Sequence, residues 1–513
     1  MCIAEHEHPG IGASLYKPLT ECDVRKIADA AFRVLRESGL KVYSPTAFEA
    51  FKAAGALINE EARIVKLPKS LVLDAIASNP SSVALCARDG ADDAVLERNR
   101  VHYGTGGTAI YVLDPRTGDR RPSSIDDVIL NAQVVDALEN VHVFTINVFP
   151  NEITEKDEID VNRFFHALDN TTKHVMGGVY SMAGSKKVVA MAEMIASGAE
   201  ALRREPFVSF ITLIISPFKI DKHYGEITCY FARKGLPVVV PTEPICGTTS
   251  PITLAGNVLT HVAETLGGIV LVQCVNKGAP GICGGVGSVA DLRTMGHLGG
   301  PIERAMINAA VAQMAQYFEI PLYSTAGTSD AKEVNIQAAY ESAMSNLLVA
   351  MSGANYIHDA AGLMEADLTV SYEKLVIDNE ILGMCQRVLR GIEVSDDTLA
   401  TDLIIEKGPG EDFLTEEHTL RYMREEFFVP QLANRKKREH PDAGEDVLTR
   451  ANAFVQEIRP RCQGSRLPEA VRKQVLEAFP EIRASVLVVR SISKRKEKGG
   501  KGGSDVGEKE ECS

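Results

Sequence analysis

The feature that most constrains this chain is a repeated beat of short β-like runs, each followed by a pattern long enough for a helix. The runs fall near Val101–Tyr103, Val141–Val148, His174–Tyr180, Phe207–Ile214, Pro237–Val240, Gly281–Val286, Pro321–Tyr323 and Asn355–His358. Helical patterns lie between them at Ile125–Leu138, Glu155–Leu168, Ser185–Arg203, Asp221–Lys234, Pro301–Phe318, Asn335–Met351 and Ser371–Leu389. A longer one opens at Ser250-Pro251, with Pro expected at the first helical position, and runs to Lys277. Ser124 and Asp127 form a capping-box signature, and Gly235 with Pro237 stops the helix before them. Eight such units, spaced by roughly 30 to 45 residues, match a (β/α)8 TIM barrel, although an open doubly wound sheet uses the same parts. The expected organisation is an α/β chain: an N-terminal helical and mixed region over 1–97, the barrel over 98–393, and a C-terminal helical extension over 394–492. The Lys-, Glu-, Gly- and Ser-rich tail over 493–513 is expected to be disordered.

Composition narrows the function classes. A net charge of −14 on 513 residues argues against a nucleic-acid binder, which needs a basic stripe to meet phosphates. The first residues have neither a basic nor an apolar signal region. The most apolar long segment, Ile252 to Lys277, contains Asn257, His261, Glu264, Gln273 and Asn276, which favours a buried helix over a membrane span. Ten cysteines at irregular spacings, with no Cys-x-x-Cys pair, indicate neither a disulfide framework nor a zinc ribbon. They read as reduced thiols of a cytoplasmic protein, with Cys283 the one to check for metal; no metal site is expected.

Chemistry concentrates between Ile320 and Gly362. Two consecutive strands there begin apolar and finish in groups that hydrogen-bond or ionise: Tyr323, Ser324 and Asp330, then Tyr356, His358 and Asp359. Ligands of parallel α/β proteins bind outside the carboxyl ends of the strands, so these units suggest a site. Gly104-Thr-Gly-Gly-Thr-Ala109 satisfies a loose dinucleotide pattern, but an extended run and a turn follow where a helix should begin, so a hairpin on the rim is the better reading.

The pattern Asp330-Ala-Lys332 with Gln337 and Tyr340-Glu341, the run Ile357-His-Asp-Ala-Ala-Gly362, and Thr253-Leu-Ala-Gly256 with Glu264 and Gln273 together resemble the trimethylamine methyltransferase family. Ala279-Pro280, Asp291-Leu-Arg293, Leu35-Arg-Glu-Ser-Gly39, Ala54-Gly55-Ala56, Ala87-Arg-Asp89 and Glu417-His-Thr-Leu-Arg421 extend the likeness over nearly the whole chain except the tail. The resemblance implies a (β/α)8 barrel that moves a methyl group from an amine to the cobalt of a separate corrinoid (cobalamin) protein. Every residue here is one of the twenty standard kinds, so there is no pyrrolysine. The chain therefore looks like the branch without it, which resembles glycine betaine methyltransferases acting on quaternary amines. A quaternary ammonium already carries a neutral leaving group, and Co(I) is itself the nucleophile. The protein must mainly orient one N-methyl carbon.

That reading assigns candidates. Aromatic faces hold quaternary ammonium groups, and Tyr103, Phe149, Tyr180, Tyr323 and Tyr356 fall in or just after strands. Asn147 would contact substrate or corrin, and His358 or Arg293 would meet a betaine carboxylate. His358, Asp330 and Glu243 are expected at the reacting centre, as orienting or cation-attracting groups. Expected partners are a small quaternary amine and the cognate corrinoid protein, with no nucleic acid and no membrane; a homo-oligomer is compatible with the pattern. The alternatives are a non-catalytic betaine-binding protein on this scaffold, or a zinc-dependent alcohol or thiol methyltransferase.

Overall fold

The computed structural model describes residues 11–90, 93–461 and 464–484. Eight parallel strands carry the fold: β1 Arg100–Tyr103, β2 Val143–Thr145, β3 His174–Gly178, β4 Val208–Ile211, β5 Val238–Thr242, β6 Gly281–Gly285, β7 Leu322–Thr325 and β8 Tyr356–His358. From β2 to β8 each strand pairs in parallel with the next, and β8 pairs with β1. Ile11–Gly12 adds a ninth, antiparallel strand against β1. The sheet curls until its ends touch: Gly104 bridges Val143, and the His142 amide donates to the Tyr103 carbonyl at 2.8 Å.

Each strand is followed by a helix: α1 Ile125–Asp136, α2 Lys156–Asn170, α3 Met182–Ile195, α4 Lys222–Lys234, α5 Leu254–Val275, α6 Ile302–Tyr317, α7 Ile336–Met351 and α8 Tyr372–Arg390. The expected capping box of Ser124 and Asp127 opens α1, and Gly235 ends α4 in the left-handed conformation. Two expected helix bounds need correction. The turn over Ile245–Ser250, closed by Gly247 N–H on the Ser250 carbonyl at 3.0 Å, holds Ser250 out of α5, so Thr253 caps that helix. The run expected as one helix from Ser185 to Arg203 splits, because Ser197 and Gly198 take φ of 63° and 137°.

Strand alternation builds two cores. Val143, Met176, Val239, Ile282, Tyr323 and Tyr356 point inward and meet Val83, Leu85, Ala94 and Leu96 of a hairpin, Ser82–Leu85 with Ala94–Glu97. That hairpin seals the amino ends of the strands: Cys86 N–H donates to Pro206 O at 3.0 Å, and Asn355 Nδ2 to Glu97 O at 3.1 Å. The opposite strand faces pack on the helices, as where Phe210 of β4 stacks on Phe231 of α4 at 3.8 Å between centroids. Helix α5 is long and apolar enough to cross a membrane, but it is buried in this layer. Its buried Glu264 carboxylate accepts from Phe218 N–H and Ser216 Oγ, both at 2.7 Å, and from Thr242 Oγ1.

The N-terminal region is stitched to the sheet. Leu40–Val42 lies between Ile64–Lys66 and Lys219–Ile220, the latter part of the β4–α4 connection. After Gly104–Ala109 comes the hairpin Tyr111–Leu113 with Arg120–Pro122, not a helix, which bears out the reading of a rim. The expected disordered tail, 493–513, lies outside the described residues.

Candidate active site at the carboxyl ends of the strands

The carboxyl ends of β5 to β8 converge on Arg304, in the first turn of α6. Its side chain is 5% exposed, and its Nη2 lies 3.3 Å from Asp367 Oδ2 and 3.9 Å from Asp359 Oδ2. Nη1 donates to Thr328 Oγ1 at 2.6 Å, tying in the loop after β7. Asp359, after β8, and Asp367, in a turn beyond it, stand on left-handed backbone with φ of 61° and 69°; Glu365 and Ala366 share that conformation. Non-glycine residues held there cost about 1–3 kcal/mol each and cluster at ligand clamps and active sites. One oxygen of each aspartate, Oδ1, is buried without a hydrogen-bond partner.

His297, on the hairpin Val289–Asp291 with Gly296–Leu298, approaches the same group. Its Nε2 is 3.3 Å from Asp367 Oδ2 and its Nδ1 3.6 Å from Glu243 Oε1. Burial opposes charge on this ring, but the hydrogen bond to Asp367 prevails and holds His297 above its ordinary pKa. Burial likewise works against the Asp367 carboxylate, yet Arg304 and then His297 hold it below the usual range. Glu243, at the end of β5, is pushed up by burial despite Arg304 and His297. Although crowded by these neighbours, the Glu243, His297 and Asp367 side chains remain 41%, 26% and 23% exposed. Groups that are surrounded and yet wetted line a recess.

His358 closes one side of it. A carbonyl can only accept, so the 2.6 Å contact to Ser324 O puts a proton on Nδ1. Nε2 then faces Asp359 Oδ2 at 2.9 Å, and that contact is a hydrogen bond only if the pair holds one further proton. Thr325 Oγ1 donates to the same oxygen at 2.8 Å. The His358 ring stacks on Tyr323 at 3.9 Å and 20°, and Tyr323 leans on Tyr356 at 5.6 Å. Tyr356 donates to Thr105 O at 3.1 Å and meets Thr145 Oγ1 at 2.7 Å. Gly106 fits against this pair only because it lacks a side chain: a Cβ there would lie 2.3 Å from Asp359 Oδ1 and 2.5 Å from His358.

The expected residues thus divide. Glu243, Tyr323, Tyr356 and His358 come together. Phe149 and Tyr180 form a second, half-buried aromatic pair at the ends of β2 and β3, edge to face at 5.5 Å. The Tyr180 backbone is held by Asp160, a buried carboxyl that accepts its N–H at 2.9 Å and that burial raises to about 7. Asp330 is a clamp: its carboxylate accepts from Gly299 N–H at 2.7 Å and Gly300 N–H at 3.1 Å, fixing the loop that leads into α6. Three candidates stand elsewhere. Tyr103 is buried against His142 and faces Cys385 of α8, and Asn147 is buried with Nδ2 on Asn131 Oδ1 of α1 at 3.2 Å. Arg293 is 90% exposed on the hairpin and pairs with Asp291 at 3.2 Å. Cys283 faces α5, its thiol pushed up to about 12 by burial; no group of three His, Cys, Asp or Glu suited to a metal occurs among the described residues.

Sequence reasoning missed Arg304, His297 and Asp367, and also the pair behind them. Lys374 Nζ and Asp378 Oδ2 of α8 lie 2.6 Å apart, both at most 2% exposed. Lys374 donates to Gly327 O at 2.9 Å and Asp378 accepts Gly362 N–H at 2.8 Å, so one ion pair fastens the loops after β7 and β8. Their spacing of four in a helical pattern was the available signal.

A family model described as trimethylamine methyltransferase matches residues 5–486. The chain is 34% identical over 468 residues to a trimethylamine methyltransferase, MttB, of Desulfitobacterium hafniense (strain DSM 10664 / DCB-2), covering 91% of this chain and 94% of that protein. It is 29% identical over 422 residues to a glycine betaine methyltransferase of Desulfitobacterium hafniense (strain Y51), covering 82% and 87%. The solved monomethylamine methyltransferase (MtmB) of Methanosarcina barkeri superposes with a TM-score of 0.45 at 16% identity, covering 88% of this chain and 95% of that one.

Proposed function

Because the chain belongs to the trimethylamine methyltransferase family, we propose that its recess passes a methyl group from a quaternary amine to the Co(I) corrinoid of a cognate partner protein. The donor in this reading is glycine betaine or a similar betaine, the branch is the one without pyrrolysine, and the setting is cytoplasmic. The curled sheet acts as a closed (β/α)8 barrel over 98–393, with its carboxyl end turned to the partner.

The observation that carries the proposal is dipolar. A betaine is a zwitterion, and the recess presents an exposed carboxylate, Glu243, beside an imidazole, His297, whose pKa is raised. Glu243 stands against the ammonium, and His297 takes the substrate carboxylate in place of Arg293, which lies out on the hairpin. Phe149 and Tyr180 offer aromatic faces to N-methyl groups. The wetted Glu243, His297 and Asp367 leave the recess open at the strand ends, which fits a corrinoid presented from outside. When bound, that reduced cofactor supplies the nucleophile. The chain's residues orient one N-methyl carbon, and Arg304 with Asp359 and Asp367 keeps the walls from relaxing.

Purified protein, a reduced corrinoid protein and a panel of methylated amines test the proposal, read by the absorbance of the methylated corrinoid. Turnover with a betaine is expected. No product with any quaternary amine would refute it. His297→Ala should raise KM for the betaine about tenfold or more, as for loss of a charge-assisted contact, and leave KM for tetramethylammonium, which has no carboxylate, unchanged.

A further inference from the structure

The segment that leaves α8 and returns at Leu432 is partly helical but has no core of its own. It contains the helices Asp396–Leu399, Thr401–Lys407 and Glu417–Tyr422, yet none of residues 391 to 431 is buried. Eleven large apolar side chains in it, Ile392, Ile405, Leu414 and Phe427 among them, are between 38% and 85% exposed. Helices this short are marginal in water without packing, and an exposed apolar patch of this extent marks an interaction site. The arm is held to itself by Arg421 on Asp397 at 2.8 Å, and to the body by Arg387 of α8 on Glu426 at 2.8 Å.

We propose that this arm is a dimerisation element that docks on a second copy of the same chain. Two features select that occupant. The apolar surface runs on from the body: Met384 and Val388 stand one turn apart on α8, Ile392 follows just past the end of that helix, and Ile336, Tyr340 and Met344 make a second exposed stripe on the adjacent α7. The charge is self-complementary as well. Residues 391 to 431 hold eleven Asp and Glu against three Lys and Arg, a net −8, while Arg435-Lys-Lys-Arg438 follows directly. Arg435, Lys437 and Arg438 are exposed and form no ion pair among the described residues. A two-fold axis sets the acidic arm of each copy on the stripes and basic turn of the other, an isologous contact. At roughly 100 Å² per apolar side chain, each arm offers on the order of 1,000 Å², enough for two arms to reach the obligate homodimer range.

Light scattering on the size-separated full chain at about 20 µM, well above the Kd of a stable dimer, tests this without reference to the reaction. An even-numbered assembly is expected for the native chain. Ile404→Asp with Ile405→Asp should halve its mass with an unchanged circular-dichroism spectrum. Reversing Arg435, Lys437 and Arg438 to Glu should weaken association more at low than at high salt. A monomeric native chain overturns the proposal and leaves the arm to the corrinoid partner. A dimer that survives both sets of substitutions overturns it too.

Discussion

Arg304→Met is the perturbation that most directly examines the strand-end cluster. The guanidinium is buried, faces two carboxylates at 3.3 and 3.9 Å, and donates to Thr328. Methionine roughly fills the stem but leaves Asp359 and Asp367 without their shared cation. Removing one partner of a buried ion pair costs about 3–5 kcal/mol, because the remaining charge is uncompensated. His297 and His358 still contact these aspartates, so the lower end, about 3 kcal/mol, is the expectation. The sign of the pH dependence follows. Asp367 is now held below its ordinary range, largely by Arg304 working against burial. Without Arg304 burial prevails and the folded carboxyl rises above its unfolded value. A raised acid contributes stability at low pH and loses it as pH rises through the folded value. The deficit of the variant should therefore shrink as pH is lowered from about 8 to about 5. Urea denaturation of both proteins across that range measures it. A deficit below about 1 kcal/mol, or one that grows on acidification, refutes the argument that Arg304 exists to hold the buried Asp359 carboxylate and the half-buried Asp367 one.

Two further predictions concern the neighbours of the recess. Asp160 has its folded pKa raised by burial to about 7 from 3.8, so it favours folding at low pH and withdraws that contribution as pH rises between those values. Asp160→Asn should flatten this stretch of the urea-midpoint profile, by an amount on the order of 4 kcal/mol; a slope equal to that of the native chain would show that Asp160 does not titrate there. His358→Ala should lower methyl transfer at least tenfold, about 1.4 kcal/mol, while the fold is retained, because the ring is held by Ser324 and Asp359 and stacks on Tyr323 at 3.9 Å. Native kcat in a folded variant would remove His358 from the site.

The scaffold was legible because parallel strands buried on both faces write continuous apolar runs, and each helix between them carries its own caps. Ser124 with Asp127 and Gly235 are local signals that act locally, and they held. The strand ends were legible too, but the phase of each strand was not. Tyr103 closes β1 and Tyr356 opens β8; alternation turns Tyr356 to the interior and Tyr103 towards α8, and a shift of one residue reverses that choice. Asp330 was in the right place for a less direct reason. Its oxygens accept the amides of Gly299 and Gly300, so it shapes the approach to Arg304 and does not face the recess.

Arg304 itself was invisible for a different cause. In the sequence it is an arginine in the first turn of a helix, where a solvated cation is ordinary. Its burial depends on Asp367, 63 positions away, meeting it in space. Nothing periodic links the two. Only the identity of the residues at left-handed φ carries a trace of the site: Asp359 and Asp367 are among the few non-glycine types that adopt that conformation readily. Both place one oxygen on Arg304 and keep the other buried and unpaired. A backbone turned to left-handed φ at two points aims two carboxylates at one cation, and that arrangement holds only while the cation stays. Arg304 therefore sets the shape of the recess, and the residues that meet substrate depend on it for their positions.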